Sequence, residues 1–153
     1  MMLLKNFLLI CTATLGMSVL YNIKGKNLFF SPLGAGVTWL VYSIALGNEG
    51  FSIYAVFLGS LAAGIYSEVM ARLRRAPVTI FVICAIIPLV PGLRMMDTML
   101  EILNGNTETA ISLGVTTIIT AGLIAIGIFV VSSSFRLAAF LNKSIFKNKK
   151  TSA

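Results

Sequence analysis

Residues 77–92 read Pro-Val-Thr-Ile-Phe-Val-Ile-Cys-Ala-Ile-Ile-Pro-Leu-Val-Pro-Gly, an apolar run that two prolines and a glycine interrupt near its end. Each proline lacks an amide donor and clashes with the preceding helical turn, so Pro88 and Pro91 followed by Gly92 predict a break in the helix. At about 1.5 Å per residue, Pro88 lies roughly 17 Å beyond Pro77, which is near mid-membrane for a helix that begins at the surface. We therefore predict a membrane-spanning helix that is broken inside the bilayer.

A broken backbone at this depth is tolerated only where protein or a water-filled cavity surrounds it. Secondary transporters use such discontinuous helices to present carbonyls and amides to a substrate. The segment Pro88, Pro91 and Gly92 is thus a candidate for a substrate path, and Arg94 beyond it can attract an anionic substrate. Two alternatives stay open from the sequence: an ordinary proline kink, and a pairing of Arg94 with Asp97.

The composition of the whole chain is typical of a membrane protein. Of the 153 residues, 58% are hydrophobic and 11% are charged, whereas an average soluble domain has about 25% charged residues. Several apolar runs approach the roughly 20 residues that span a bilayer. They predict an all-α integral membrane protein with about five transmembrane helices, the fourth broken by the Pro-x-x-Pro-Gly segment. The predicted spans are residues 3–23, 28–46, 51–70, 77–92 and 111–131, in a single transmembrane domain (1–135) followed by a basic cytoplasmic tail (136–153).

The first apolar run has a lysine near its start and also fits a secretory signal peptide. No small-x-small cleavage motif precedes Lys24, and Ile10 before Cys11 does not fit a lipoprotein-type site. We expect a retained first helix, with the cleaved signal as the alternative.

Loop charges predict the orientation of the chain. Twelve Lys and Arg against five Asp and Glu give a net charge of +7. The basic residues gather after the first span, after the third span and in the tail, whereas the turn Gly47-Asn48-Glu49-Gly50 and the loop before the last span hold most acidic residues. The positive-inside rule then places the N-terminus outside and the C-terminus in the cytoplasm of a cell with this protein in its plasma membrane. Because the charge has this explanation, we predict no nucleic-acid partner.

Small residues recur every four positions in the third span. Ala55, Gly59, Ala63 and Ser67 lie on one row, and Gly64 lies on the neighbouring row. Such spacing lets helix backbones approach closely in lipid, where packing rather than hydrophobicity holds helices together. We predict a helix-packing face along this row.

Glu68 is the acidic residue that lies most nearly inside a span, and Arg72 follows one turn later. A carboxylate inside the membrane is costly unless it is paired or hydrated, so it marks a functional cavity or relay by default. An (i, i+4) pair of Glu and Arg can also meet on a helix surface. Both residues are therefore candidates for the substrate path, with the alternative that Glu68 sits at the cytoplasmic end and merely neutralises Arg72.

Enzymatic chemistry has little support in this sequence. The absence of histidine excludes imidazole catalysis and imidazole metal binding. Cys11 and Cys84 lie in apolar runs, where a thiol usually acts as a small hydrophobe. A paired-carboxylate mechanism would need Asp97 and Glu101, whose turn-like context places them at an outer surface. We predict no enzyme, no catalytic residue, no metal and no cofactor.

The chain resembles a known family in the run Gly59 to Gly92, which contains Gly64, Glu68, Arg72, Pro77 and Ile86-Ile87-Pro88-Leu89-Val90-Pro91-Gly92. This run is similar to the C-terminal membrane half of the threonine/serine exporter family, and residues 21–23 and 33–42 resemble the opening of that half. The halves of that family are fused or made as separate proteins, and this chain resembles the short form, one subunit of a two-component exporter. The resemblance implies a companion subunit with the other membrane half, and export of threonine, serine or a dicarboxylate such as succinate.

We therefore expect a subunit of a secondary transporter that lies in the lipid bilayer and passes a small-molecule substrate. A chain of about five helices is small, so oligomerisation is also expected. The alternative is a non-transporting membrane scaffold or assembly subunit whose small-residue faces bind another membrane protein.

Overall fold

The computed structural model describes residues 2–47 and 52–151, and the side chains of residues 3–47 and 52–141. Residues 48–50 of the predicted Gly47–Gly50 turn lie outside the described residues, as do the last two residues of the predicted tail. Most of the described residues are helical, and none of them is in a strand. The helices are α1 (Met2–Leu20), α2 (Asn27–Leu46), α3 (Ile53–Arg74), α4 (Val78–Ile86), α5 (Gly92–Leu103) and α6 (Thr107–Thr151), with a 3₁₀ turn (Ile87–Leu89) after α4.

The described helices include four that are long and apolar enough to cross a bilayer, namely α1, α2, α3 and α6. A further pair of segments is bent by 50°: the first is α4 with the 3₁₀ turn (Val78–Leu89), and the second is α5 (Gly92–Leu103). Taken together, the two segments have the length and composition of one membrane span. The predicted all-α membrane protein of about five spans, with a broken fourth, is confirmed.

The break in the fourth span follows from its prolines. Neither Pro88 nor Pro91 can donate the hydrogen bond that would continue an α-helix. Instead the Val90 amide lies 3.2 Å from the carbonyl oxygen of Ile86 and 3.3 Å from that of Ile87, and the Gly92 amide donates to Val90 O at 2.8 Å. The backbone therefore tightens and turns before α5 begins.

The directions of α3 and α6 show that α4 and α5 together make one crossing. Ser60 Oγ lies 3.4 Å from Leu123 O, and about 12 residues further along both helices the Arg72 guanidinium donates to Phe135 O at 3.2 Å. The two helices thus run parallel. A re-entrant loop between them would return the chain to the same side and make them antiparallel, so the segment between them is a broken span.

The interior of the bundle is rich in small and hydroxyl side chains, with Phe81 as a fully buried large one, whereas many large apolar side chains face outward. Ser18 and Ser67 are fully buried, and each hydroxyl donates within its own helix, to Thr14 O at 2.9 Å and to Ala63 O at 2.6 Å. Leu4 and Phe129, in contrast, are 66% and 72% exposed. This distribution is expected where lipid covers the outside and close helix contacts hold the inside.

All five residues of the predicted packing face of α3 are buried: Ala55, Gly59, Ala63, Gly64 and Ser67. A Cβ on Gly59 would lie 3.0 Å from the side chain of Leu89, and one on Gly64 would lie 3.0 Å from Val131. Because these positions are small, α3 contacts the 3₁₀ turn on one side and α6 on another.

Helix α6 is longer than the predicted last span, with 45 residues. Its backbone stays helical from the end of the predicted span at 131 through position 151, which includes most of the predicted tail. Residues 128–151 contain neither proline nor glycine, so nothing in this segment ends the helix.

Candidate functional site

A cavity of about 180 Å³ lies beside the helix break, and we call it the break cavity. Helix α2 contributes Tyr42, α3 contributes Val56, and α6 contributes Thr120. The remaining wall is the break itself, residues 88–94, which includes the predicted substrate-path residues Pro88, Pro91, Gly92 and Arg94. These four candidates are therefore brought together at one place.

Close packing positions the floor of the break cavity. Val56, Leu89 and Ile124 form a buried apolar cluster, 2%, 6% and 7% exposed. Leu89 can enter this cluster because it lies against Gly59, where any larger residue would displace it. The proline-induced turn is thus anchored against α3 and α6.

The break cavity is polar where α5 begins. Gly92 and Leu93 line the cavity from the first turn of α5, and the amino end of a helix carries a positive partial charge. Arg94 adds a full positive charge in the same turn. Thr120 on α6 is 3% exposed and its hydroxyl donates to Thr116 O at 2.8 Å. The arrangement is suited to an anionic group such as a carboxylate.

Helix α5 turns its polar side towards α6. Arg94, Thr98 and Glu101 are half-buried, whereas the neighbouring apolar residues Leu93 and Leu103 are 79% and 82% exposed. The Thr98 methyl group lies 3.5 Å from where a Cβ on Gly114 would be, which places this side against α6. The apolar side of α5 therefore faces away from the bundle.

A second cavity, of about 380 Å³, lies between α3, α4 and α6, and we call it the Glu68 cavity. Its polar lining residues are Glu68, Thr79, Ser132 and Arg136, and its apolar lining residues are Val78, Val82 and Ile128. Among them, only Glu68 is a residue predicted for the substrate path. Thr79, Ser132 and Arg136 carry no motif of their own, and only the packing of three helices reveals that they share a cavity.

Glu68 is 6% exposed and forms an ion pair with Arg72, with 3.6 Å between Glu68 Oε2 and the guanidinium. This distance exceeds the roughly 2.7–2.9 Å of a charge-assisted hydrogen bond. Arg72 also donates to Phe135 O at 3.2 Å and lies 4.6 Å from the centre of the Phe135 ring. Arg72 therefore sits at the rim, held by α6 as much as by Glu68.

The two cavities use the same two parallel helices at different depths. The lining residues of the two cavities are about 12 residues apart on each helix: Val56 and Glu68 on α3, and Thr120 and Ser132 on α6. This spacing corresponds to roughly 18 Å along each helix axis. Between them α6 crosses α3 at Gly127, where a Cβ would lie 2.9 Å from Ser60 Cβ. The predicted substrate-path residues thus fall into two groups separated by a close helix contact.

A multi-pass helical bundle with an interrupted span and polar cavities at two depths has the architecture of a membrane transport protein. The family model described as Threonine/Serine exporter, ThrE, matches residues 6–134. The chain belongs to this family, and the resemblance found in its sequence is confirmed. The match covers every residue that lines either cavity except Arg136. No solved structure matches the chain.

Proposed function

We propose that the chain is one subunit of a secondary transporter that exports threonine, serine or a dicarboxylate such as succinate, and that it acts with a companion subunit carrying the other half of the exporter. The broken span α4–α5, with a cavity at the break, is the observation that carries the proposal. Family membership supports the substrate class, and the two-half organisation of the family implies the companion.

The chemistry of the break cavity fits this substrate class. Threonine, serine and succinate share a carboxylate, which Arg94 and the amino end of α5 can bind together. We assign the break cavity as a substrate site on this path.

The transport test uses cells that produce the chain with its companion and are loaded with labelled L-threonine. We expect efflux above that of cells with the companion alone. Arg94→Gln should raise the half-saturating threonine concentration about tenfold or more, because a charge-assisted hydrogen bond contributes about 1.5–3 kcal/mol. Arg75→Gln is the matched control, since this exposed arginine lines neither cavity.

Liposomes that contain both subunits separate the exporter from the scaffold alternative. If they remain impermeable to threonine, serine and succinate, the chain is a non-transporting assembly subunit. Efflux of any of the three that depends on this chain supports the exporter.

We further propose a plasma-membrane orientation with the N-terminus outside and the C-terminus in the cytoplasm. Arg74 donates to Asn27 Oδ1 at 3.2 Å and lies 4.8 Å from the centre of the Phe30 ring, so the start of α2 and the end of α3 meet. Arg72 ties the same end to α6 through Phe135, next to Arg136. The positive-inside rule favours the cytoplasm for this basic end.

Cysteine labelling tests the orientation in a background without Cys11 and Cys84. We expect Asn104→Cys, in the turn before α6, to react with a membrane-impermeant maleimide on intact cells. Lys24→Cys, between α1 and α2, should react only after permeabilisation, because both positions are exposed but lie at opposite ends of the bundle. The reverse labelling pattern would invert the proposed orientation.

A further inference from the structure

We propose that the Glu68 cavity is a second substrate site, specific for zwitterionic amino acids, in which Glu68 accepts the substrate ammonium group and Arg136 binds its carboxylate. This inference rests on the proposed export function and deepens it. The Glu68 cavity would select amino acids over dicarboxylates, whereas the break cavity would bind both through a carboxylate.

Glu68 supplies a carboxylate with unused acceptor capacity. Its ion pair with Arg72 spans 3.6 Å, and Arg72 is directed mainly to the carbonyl and ring of Phe135. A buried carboxylate is costly without close hydrogen-bond donors. An ammonium group in the cavity provides three donors and a positive charge, and so adds to Glu68 the close hydrogen bonds that its 3.6 Å ion pair with Arg72 lacks.

The charges that face the cavity are arranged for a ligand of both signs. Helix α3 presents Glu68 with Arg72 at the rim, and α6 presents Arg136, whereas the α4 residues that line the cavity are uncharged. A substrate carboxylate next to Arg136 leaves the ammonium group free to reach Glu68. A dicarboxylate would instead place a negative charge against Glu68, which like-charge repulsion disfavours.

The remaining lining fits a small hydroxylated side chain. Thr79 on α4 and Ser132 on α6 offer hydroxyl groups that can donate to or accept from a substrate hydroxyl. Val82 and Ile128 provide an apolar wall. The volume of about 380 Å³ lies within the range of roughly 300–1,000 Å³ typical of small-molecule sites.

The Glu68 cavity is separate from the break cavity. The apolar cluster of Val56, Leu89 and Ile124 lies between them, as does the contact of Ser60 with Gly127. In the proposed orientation the Glu68 cavity is at the cytoplasmic end, where an exporter must first bind its substrate.

Binding to the purified complex of both subunits tests the site, with Arg94→Gln as background so that the break cavity contributes little. The two ligands are L-threonine and 2,3-dihydroxybutanoate, which has a hydroxyl group in place of the ammonium group. We expect the background complex to prefer threonine. Glu68→Gln should weaken threonine binding roughly ten- to a hundredfold, the effect of losing a hydrogen bond to a charged group, and leave binding of the analogue unchanged.

Two further variants complete the experiment. Arg136→Gln should weaken both ligands, because both have the carboxylate. Glu108→Gln removes an exposed carboxylate that lines neither cavity and should change neither affinity. If the Glu68→Gln complex does not remain monodisperse, the Arg136→Gln variant alone tests the site. An unchanged threonine affinity in the Arg136→Gln variant then overturns the proposed substrate site.

The proposal is overturned if Glu68→Gln keeps the preference for threonine. It is also overturned if threonine binding requires sodium ions and Glu68→Gln weakens both ligands equally, because Glu68 then holds an inorganic cation. Either result leaves the export function intact when the native pair still exports threonine. Absence of any threonine, serine or succinate export by the native pair instead contradicts the proposed function itself.

Discussion

Substitution of Gly127 by leucine in α6 is expected to destabilise the protein by about 3 kcal/mol, the upper end of the usual cost of overpacking. A Cβ at this position would overlap Ser60 Oγ and lie 2.9 Å from Ser60 Cβ, with the Leu61 amide nitrogen 3.5 Å away. Ser60 cannot give way easily, because it is fully buried and its hydroxyl donates to Phe57 O at 2.7 Å. Leucine therefore forces α6 away from α3.

Gly122→Leu is the matched control for this prediction. It makes the same change on the same helix, but no neighbouring atom lies within 4 Å of a Cβ at that position. The thermal midpoint of each purified variant in detergent is the measurement, with the amount in the membrane as a second readout. Equal thermal midpoints for the two leucine variants would show that the α3–α6 contact at Gly127 does not hold the bundle together.

The double substitution Pro88→Ala and Pro91→Ala is expected to reduce export about tenfold or more at an unchanged level in the membrane. A proline in a helix interior costs about 3 kcal/mol, so alanine at both positions favours a continuous helix by several kcal/mol, where about 1.4 kcal/mol is a factor of ten in population. Straightening removes the 50° bend between the two segments. Leu89 then leaves its place against Gly59, and the break cavity closes.

Pro77→Ala is the control, because Pro77 precedes α4 and its missing amide interrupts no helical bond. The measurement is initial efflux of labelled threonine from cells with both subunits, normalised to the protein in the membrane. Normal efflux in the double variant together with normal membrane level would remove the break from the transport path.

Several features of this fold can be read from local chemistry. The apolar runs require lipid around them, and the two prolines with Gly92 require a break at their own position in any helix. The small residues of α3 predict a packing face because close approach depends only on side-chain size. The sequence also permits the full length of α6, because residues 128–151 contain no proline or glycine that would break a helix. The prediction ended this span at residue 131 because it followed hydropathy, which falls at the first polar residues beyond that point.

The sequence by itself determined a multi-pass helical membrane protein with an interrupted fourth span and clustered basic residues, because each of these depends on residues that are neighbours along the chain. Only the tertiary structure decided which distant residues meet. The structure places Glu68 and Arg136 in one cavity and the helix break in another, where Arg94 and Thr120 lie together. It also shows that α3 and α6 run parallel. The physical reason is that a cavity is formed by the gap between helices, and the relative rotation and depth of packed helices are fixed by contacts such as Gly127 with Ser60 rather than by any single segment.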